Sequence, residues 1–333
     1  MKKTLMAILV LFLLIALSGS ILASHYAFLP IERSGRELII RIESGQTLLQ
    51  IAEKLEEQQV IAHPGLFALL GRLSGTATGI QAGEFRIDTR WSRLKLLEHL
   101  HSGTAIVHRL QIPEGLTWWE IGKLVQESDL ASFEDFSAQV HNATLLAAHN
   151  IPAQSAEGFL FPETYSFQKR EGKAAHSIVS RMLEQFWKAT GPIWGNEPPG
   201  RERVLRLVTL ASLVEKETAV AEERRRIAGV FTNRLERGMR LQCDPTVIYG
   251  LGRSFDGNLQ RRDLRDSSNP YNTYAHAGLP PGPICSPGLA SIKAAANPAE
   301  HDYLYFVATG DGGHHFSSNL REHNKAVRKY QLR

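Results

Sequence analysis

The feature that most narrows what this chain can become lies near its start. From Leu5 to Ala23 the sequence carries no charge and no proline, behind a short basic Met1-Lys2-Lys3. At 1.5 Å per residue the run is long enough to cross most of the hydrocarbon of a bilayer. It reads as an N-terminal membrane helix over residues 1–24, followed by a connector over 25–37. A cleaved signal peptide is the rival, because Ser18-Gly19-Ser20 offers small residues. The apolar run, however, continues beyond them through Ile21-Leu22-Ala23. With Lys2 and Lys3 inside, the remainder is expected on the extracytoplasmic side of the cytoplasmic (inner) membrane.

About 300 residues then remain, enough for two units with real cores. The formal net charge is +4, and acidic and basic residues are well mixed, so no nucleic-acid footprint is present. The one basic run, Arg224-Arg225-Arg226, follows Glu222-Glu223 and is expected to be a solvated helix face. Two cysteines, Cys243 and Cys285, could form one bridge or remain as small half-buried thiols, but they do not make a disulfide scaffold.

Periodicity gives an α+β chain. Glu37–Ile42 reads as a strand, and Thr47 with Gln50 forms a capping box for the helix that follows. The device recurs seventy residues on, where Gly115, Thr117, Glu120 and Ile121 repeat the spacing of Gly45, Thr47, Gln50 and Ile51. The first copy, Gly45-x-Thr47-Leu48-x-x-Ile51-Ala52, resembles the LysM signature of modules that bind N-acetylglucosamine polymers; a well-capped βα unit explains the same residue choices. A short strand at Ala82–Asp88 and a helix from Trp91 to Gly103 complete a small LysM-like subdomain, residues 38–104. A larger α+β domain over 105–333 is expected to contain helices at Trp118–Glu127, Ala174–Thr190, Val204–Thr218 and Ala221–Arg237. Strands at Tyr303–Ala308 and His314–Ser317 and a last helix beginning at Asn319 follow.

Within that domain the helix pattern of Thr209–Val214 runs into Glu215-Lys216-Glu217-Thr218. At about 100° per residue, Glu217 falls on the apolar stripe behind Leu210, Leu213 and Val214. Glu215 lies roughly 160° away, behind Val208, Ala211 and Ser212. A carboxyl group set against an apolar wall is disfavoured as an anion and can act as an acid. Charges at a helix exit are the plainer explanation; if one of the two is the acid, the geometry leans towards Glu217.

Three further stretches carry more polar and aromatic side chains than packing requires. They are Gly158–Phe167, around Glu163; Met239–Gly252, with Gln242, Asp244 and Tyr249; and Asn269–Gly288, where Tyr271, Asn272, Thr273 and Tyr274 sit in a loop stiffened by five prolines. Aromatic faces among amides and hydroxyls suit a sugar. A metal is not expected: His314 and His315 alternate across a strand, and His323 brings neither an i,i+4 partner nor a cysteine.

The long segment Leu210–Gly252, together with Pro270–Tyr274, Gly278–Ile284, Tyr303–Ala308 and Gly312–Val327, closely resembles the membrane-anchored endolytic murein transglycosylases, the MltG or YceG-like family. The likeness covers nearly the whole chain, and Cys243 and Cys285 stand where small residues vary. It implies a lysozyme-like acidic helix with Glu217 as the acid and Thr218 as its hydroxyl neighbour, and a reaction that needs no cofactor. Peptidoglycan glycan strands are the implied substrate, with Gln242, Asp244, Tyr249, Tyr271, Asn272, Thr273 and Tyr274 as candidates for holding the glycan. His314, Phe316 and Asn319 are candidates for lining the cleft. Peptidoglycan synthases of the penicillin-binding class are candidate partners, beside the membrane itself.

Two rivals remain in view. A hydrolytic muramidase would need a second carboxylate opposite Glu217, for which Asp244 is the best placed, and a non-catalytic wall-binding scaffold would need no acid at all. The apolar run generates its own expectation. Intact protein should stay with membranes through a high-salt wash, since apolar insertion is insensitive to screening. A soluble mature form beginning near Ile21 would replace the anchor by a signal peptide.

Overall fold

The computed structural model describes Lys2–Gln168, Ala174–Gly195 and Pro199–Leu332. It divides into two compact units: one runs to His108 and includes a short return from Ser166, and the other takes in Arg109–Tyr165 and everything from Ala174 onward.

The first unit opens with α1 (Lys2–Phe28), exposed along nearly its whole length. It is long and apolar enough to cross a membrane. Its end is engaged: Ala27 is buried, and the Arg93 guanidinium lies 4.5 Å from the centre of the Tyr26 ring. Next come β1 (Glu37–Ile42), α2 (Leu48–Glu57), α3 (Pro64–Leu73), β2 (Gly83–Asp88) and α4 (Arg93–Ser102). β1 and β2 pair antiparallel, Glu37 opposite Asp88 and Ile42 opposite Gly83. This register turns Ile40, Ile42, Phe85 and Ile87 towards the same core as Ile51 and Leu55 of α2 and Leu96, Leu97 and Leu100 of α4. The Thr47–Gln50 capping box is formed, with the Thr47 N–H donating to Gln50 Oε1 at 2.8 Å.

From the end of the first unit through the second, the chain forms β3 (His108–Gln111), α5 (Trp118–Glu127), α6 (Phe133–Val140), α7 (Ala143–Ala148), β4 (Thr164–Phe167), α8 (Ala174–Trp194), α9 (Arg201–Glu217), α10 (Arg224–Glu236), α11 (Asp244–Leu251), α12 (Arg261–Arg265), α13 (Leu289–Ala296), β5 (Tyr305–Ala308), β6 (His314–Ser317) and α14 (Leu320–Tyr330). β3 pairs with β4, and β5 pairs antiparallel with β6. The second capping box, Thr117 with Glu120, starts α5. Ser132 and Asn142 cap α6 and α7 through their side chains, elements that the hydrophobic pattern alone did not announce. The expected helix over Ala221–Arg237 is interrupted: Ala221–Glu223 forms one tight 3-10 turn before α10 begins at Arg224.

The centre of this unit is α9, whose residues from Val208 to Val214 are all buried. Much of what covers it is irregular chain. Pro280 and the stretch Gly282–Gly288 are buried, and Ile284 donates its N–H to Ser212 Oγ at 3.0 Å. The prolines therefore do more than stiffen an outer loop. Each removes a backbone donor that a buried segment without ladder partners would otherwise have to satisfy.

Glu157 also ties this unit together. It is 2% exposed, and its carboxyl accepts the N–H of Trp118 at 3.2 Å and of Gly158 at 3.2 Å. Burial pushes it up to about 8 from the ordinary 4.5, against the pull of those hydrogen bonds. Folding thus favours the protonated form. Its contribution is complete below about 4.5 and is lost as pH rises through about 8. Glu157→Gln keeps an acceptor and cannot ionise, so the decline in stability between those values, with a slope of up to about 1.4 kcal/mol per pH unit, should flatten in urea titrations of the variant.

Candidate functional site

α9 stops at Glu217 because Thr218 turns to extended backbone (φ −148°, ψ 134°), with its N–H still bonded to Val214 O at 3.3 Å. The Thr218 hydroxyl accepts the Val220 N–H at 3.0 Å and shapes the exit. The two glutamates part company here. Glu215 Oε2 accepts the N–H of Gly288, the residue that precedes α13, at 3.0 Å. Glu217 faces a cleft of about 500 Å³, shared with Gln242, Asp244, Tyr274 and His314.

One side of that cleft is the segment Gln242–Asp244, and the tyrosine-rich loop holds it in place. Gln242 adopts φ 51°, uncommon for a side chain with a Cβ. Its N–H donates to Thr273 O at 3.2 Å, and the Cys243 N–H donates to Thr273 Oγ1 at 3.0 Å. Thr273 Oγ1 also shares a 2.9 Å hydrogen bond with Thr246 Oγ1. Asn272, 0% exposed, donates through Nδ2 to the carbonyls of Asp263, Leu264 and Asp266 at 3.1, 3.2 and 2.7 Å. Asn272 and Thr273 brace the cleft wall. Tyr274 reaches the cleft itself, its hydroxyl donating to Asp244 Oδ1 at 2.6 Å.

Other lining side chains come from α10, β5, β6 and α14. His314 is fixed by Glu223: its N–H lies 2.9 Å from Glu223 Oε1 and its Nδ1 2.7 Å from Glu223 Oε2. The 3-10 turn before α10 directs Glu223 inward, so this residue does not belong to the solvated face expected of Glu222–Arg226. Arg234, also buried, spends its guanidinium on the carbonyls of Leu304, Leu241 and Arg240 at 2.6, 2.8 and 3.2 Å. Neither Glu223 nor Arg234 was marked by sequence reasoning. Each sits inside an exposed-looking charged run, and only the tertiary fold turns it to the cleft.

These groups decide the charge state of Glu217. Burial is the largest influence and raises its carboxyl above the ordinary carboxylate range; the Cys243 thiol hydrogen bond opposes that, Asp244 reinforces it, and His314 and Arg234 draw it back. The result is an acid held among groups that also tolerate its anion. Cys243 and Cys285 are both free and buried.

The remaining candidates lie elsewhere. Tyr249 lines a separate cleft with Trp119, and Tyr271 packs against Tyr249 with ring centres 4.7 Å apart. Phe316 packs between Tyr303 at 5.7 Å and the Arg226 guanidinium at 5.5 Å. Asn319 caps α14, its Oδ1 accepting the Glu322 N–H at 3.0 Å. Among the described residues, no group of three His, Cys, Asp or Glu side chains is arranged to hold a metal ion.

The chain is similar to known proteins over most of its length. Residues 40–329 match the model of the YceG-like family. A Bacillus subtilis protein named endolytic murein transglycosylase is 33% identical over 331 residues, covering 94% of this chain and 91% of its own length. A Streptococcus pneumoniae protein of the same name is 30% identical over 335 residues, covering 91% of this chain; the chain spans 60% of that longer relative. Among solved structures, a yceG-like protein of Listeria monocytogenes is 29% identical with a TM-score of 0.56, over 87% of this chain and 99% of the other.

The bracing role of Thr273 has a direct consequence. Thr273→Val strands the buried Cys243 N–H without an acceptor and should cost about 1–3 kcal/mol of stability, measured by thermal or urea unfolding. Hydrogen exchange at Cys243 should accelerate more than exchange in α8. Unchanged exchange there would remove the brace.

Proposed function

Because the chain belongs to the YceG-like family, we propose that it is an endolytic lytic transglycosylase of peptidoglycan, with Glu217 as its acid. The observation that carries the reading is a glutamate on the apolar stripe of a buried helix, raised by burial and open to a cleft lined with polar and aromatic groups. Protonated Glu217 donates to the glycosidic oxygen between N-acetylmuramic acid and N-acetylglucosamine, and the C1–O bond breaks. The resulting carboxylate takes the proton of the muramic C6 hydroxyl, whose oxygen closes on C1. A 1,6-anhydro end forms, Glu217 is reprotonated, and no water is consumed.

The groups around Glu217 fit both halves of the cycle. Burial and Asp244 keep the proton on before cleavage; the Cys243 thiol, His314 and Arg234 stabilise the anion that cleavage leaves. Gln242, Asp244 and Tyr274 supply hydrogen-bonding groups to the bound glycan, while Asn272 and Thr273 hold that wall in register. Residues 38–104 act as a LysM-like module, and α1 anchors the chain in the cytoplasmic membrane with residues 105–333, the catalytic domain, outside. In that position it works beside peptidoglycan synthases and ends strands as they grow.

Asp244 lines the same cleft, which gives the hydrolytic reading its one support. The Tyr274 hydroxyl already occupies its Oδ1, and product mass separates the two chemistries. Glu217→Gln should fold normally, still bind glycan, and lose about 10²–10⁴ in rate, whereas Glu215→Gln should retain a substantial share. Wild-type products should end in anhydro-muramic acid, one water lighter than hydrolysis products. Reducing ends would favour a muramidase, and an inactive Glu215→Gln beside an active Glu217→Gln would move the acid to the other face of α9.

A further inference from the structure

The acidic cleft leaves Glu157 and its surroundings unexplained. The Glu157 carboxyl joins the first turn of α5 to the second half of α11, through the Trp118 N–H and a hydrogen bond with the Tyr249 hydroxyl. Burying a carboxyl group is costly unless it is hydrogen-bonded, and the bonds that offset the cost tie Glu157 to both helices. What it fixes is an aromatic stack: the Trp119 and Tyr249 rings lie 5.1 Å apart at 32°, and Tyr271 packs on Tyr249 at 4.7 Å, so Trp119 is the outer ring of the three. Both Trp119 and Tyr249 line a cleft of about 470 Å³, distinct from the one at Glu217.

The rim of this second cleft is basic. Lys123, Lys216 and Arg253 border it, and an adjoining cleft of about 600 Å³ shares Lys123 and Arg253. Lys216 Nζ donates to Gly115 O at 3.3 Å, and Arg253 lies over the Phe133 ring at 5.2 Å. Glu120, the one carboxylate on the lining, is turned into its own helix, where it accepts the N–H and hydroxyl of Thr117 at 2.8 Å each. Positive charge is thus left facing the cleft. An aromatic shelf takes the C–H face of a sugar ring, and a cationic rim takes carboxylates attached to it. Neutral saccharide would need only the shelf.

We propose that this cleft is a remote subsite for the same polymer, seating a saccharide unit on Trp119, which Tyr249 and Tyr271 support from behind, with the carboxylates of its peptide stem at Lys123 and Arg253. The inference rests on the transglycosylase reading above. α11 links the two places: Asp244 at its start lines the acidic cleft, and Tyr249 and Gly252 at its end line the second. The helix is about 12 Å long at 1.5 Å per residue, a span that a continuous glycan crosses and a short fragment does not. An enzyme that cuts inside a strand gains from holding it at a distance from the scissile bond, because remote binding positions the reacting centre.

The test uses the full chain in detergent with three substrates: long strands carrying peptides, the same strands with peptides removed, and a tetrasaccharide carrying peptides. Trp119→Ala should raise KM on long strands about tenfold, leave kcat within about twofold, and leave the tetrasaccharide unchanged, with Trp119→Phe restoring most of the loss. Lys123→Glu combined with Arg253→Glu, both on exposed side chains, should abolish the preference for peptide-bearing over stripped strands. Equal effects of Trp119→Ala on long and short substrates, no effect on either, or an intact preference after charge reversal would each overturn the subsite. Binding of long strands to Glu217→Gln, weakened about tenfold by adding Trp119→Ala, tests the subsite without turnover. Loss of the subsite is therefore distinguishable from a wild type that forms no anhydro ends, which would instead refute the transglycosylase reading.

Discussion

Desolvation of α9 is the constraint from which the second unit follows. Its residues from Val208 to Val214 are buried on all sides, so every neighbouring segment must offer apolar surface without unsatisfied backbone. The prolines and tight turns of Gly278–Gly288 meet part of that demand; Ser212 accepts the Ile284 N–H and donates to Thr209 O at 2.7 Å, Leu116 O accepts the Ser286 N–H, and Glu215 accepts the Gly288 N–H. A helix so enclosed can release a polar residue only at its end. Glu217 is that residue, and it emerges into a cleft whose form is set by the same packing.

The cleft wall illustrates how strain is carried. Gln242 at φ 51° is a conformation that an isolated chain would rarely hold. Three hydrogen bonds from Thr273 over-determine it, since the threonine carbonyl binds the Gln242 N–H while its hydroxyl meets the Cys243 N–H and Thr246. Glycine at 242 would relieve the strain but remove the side chain that the cleft displays. The tyrosine-rich loop thereby acts on the cleft at one remove, with Tyr274 alone of its side chains reaching in.

Local signals were the legible part of the sequence. Both capping boxes, the strands β1 and β2 taken singly and the placement of Glu217 on the apolar stripe depend on residues a few positions apart, whose geometry a helix or strand dictates. The bracing bonds of Asn272 and Thr273 were not legible, because density of polar groups in a proline-framed loop looks the same whether those groups face a ligand or a neighbouring backbone. Glu223 and Arg234 were invisible for the opposite reason. Each lies in a run of charges that normally faces solvent, and its inward turn depends on a 3-10 interruption and on carbonyls 70 residues distant, as in the Arg234–Leu304 bond.

Two glutamates of this unit show that burial alone does not define an acid. Glu157 is enclosed by backbone N–H groups and a tyrosine hydroxyl, with no cation among its partners, and is pushed up to about 8. It holds its proton through the range in which ordinary carboxyls lose theirs, which suits a fastener and not a group that must give the proton up. Glu217 is desolvated too, yet His314 and Arg234 act on it from the cleft and the Cys243 thiol bonds to it. Those influences lower the cost of the anion without removing the bias towards the acid. A group that must donate and then recover a proton in one turnover needs both forms within reach, and Glu217 faces a thiol, His314 and Arg234 where Glu157 meets backbone N–H groups and a tyrosine hydroxyl.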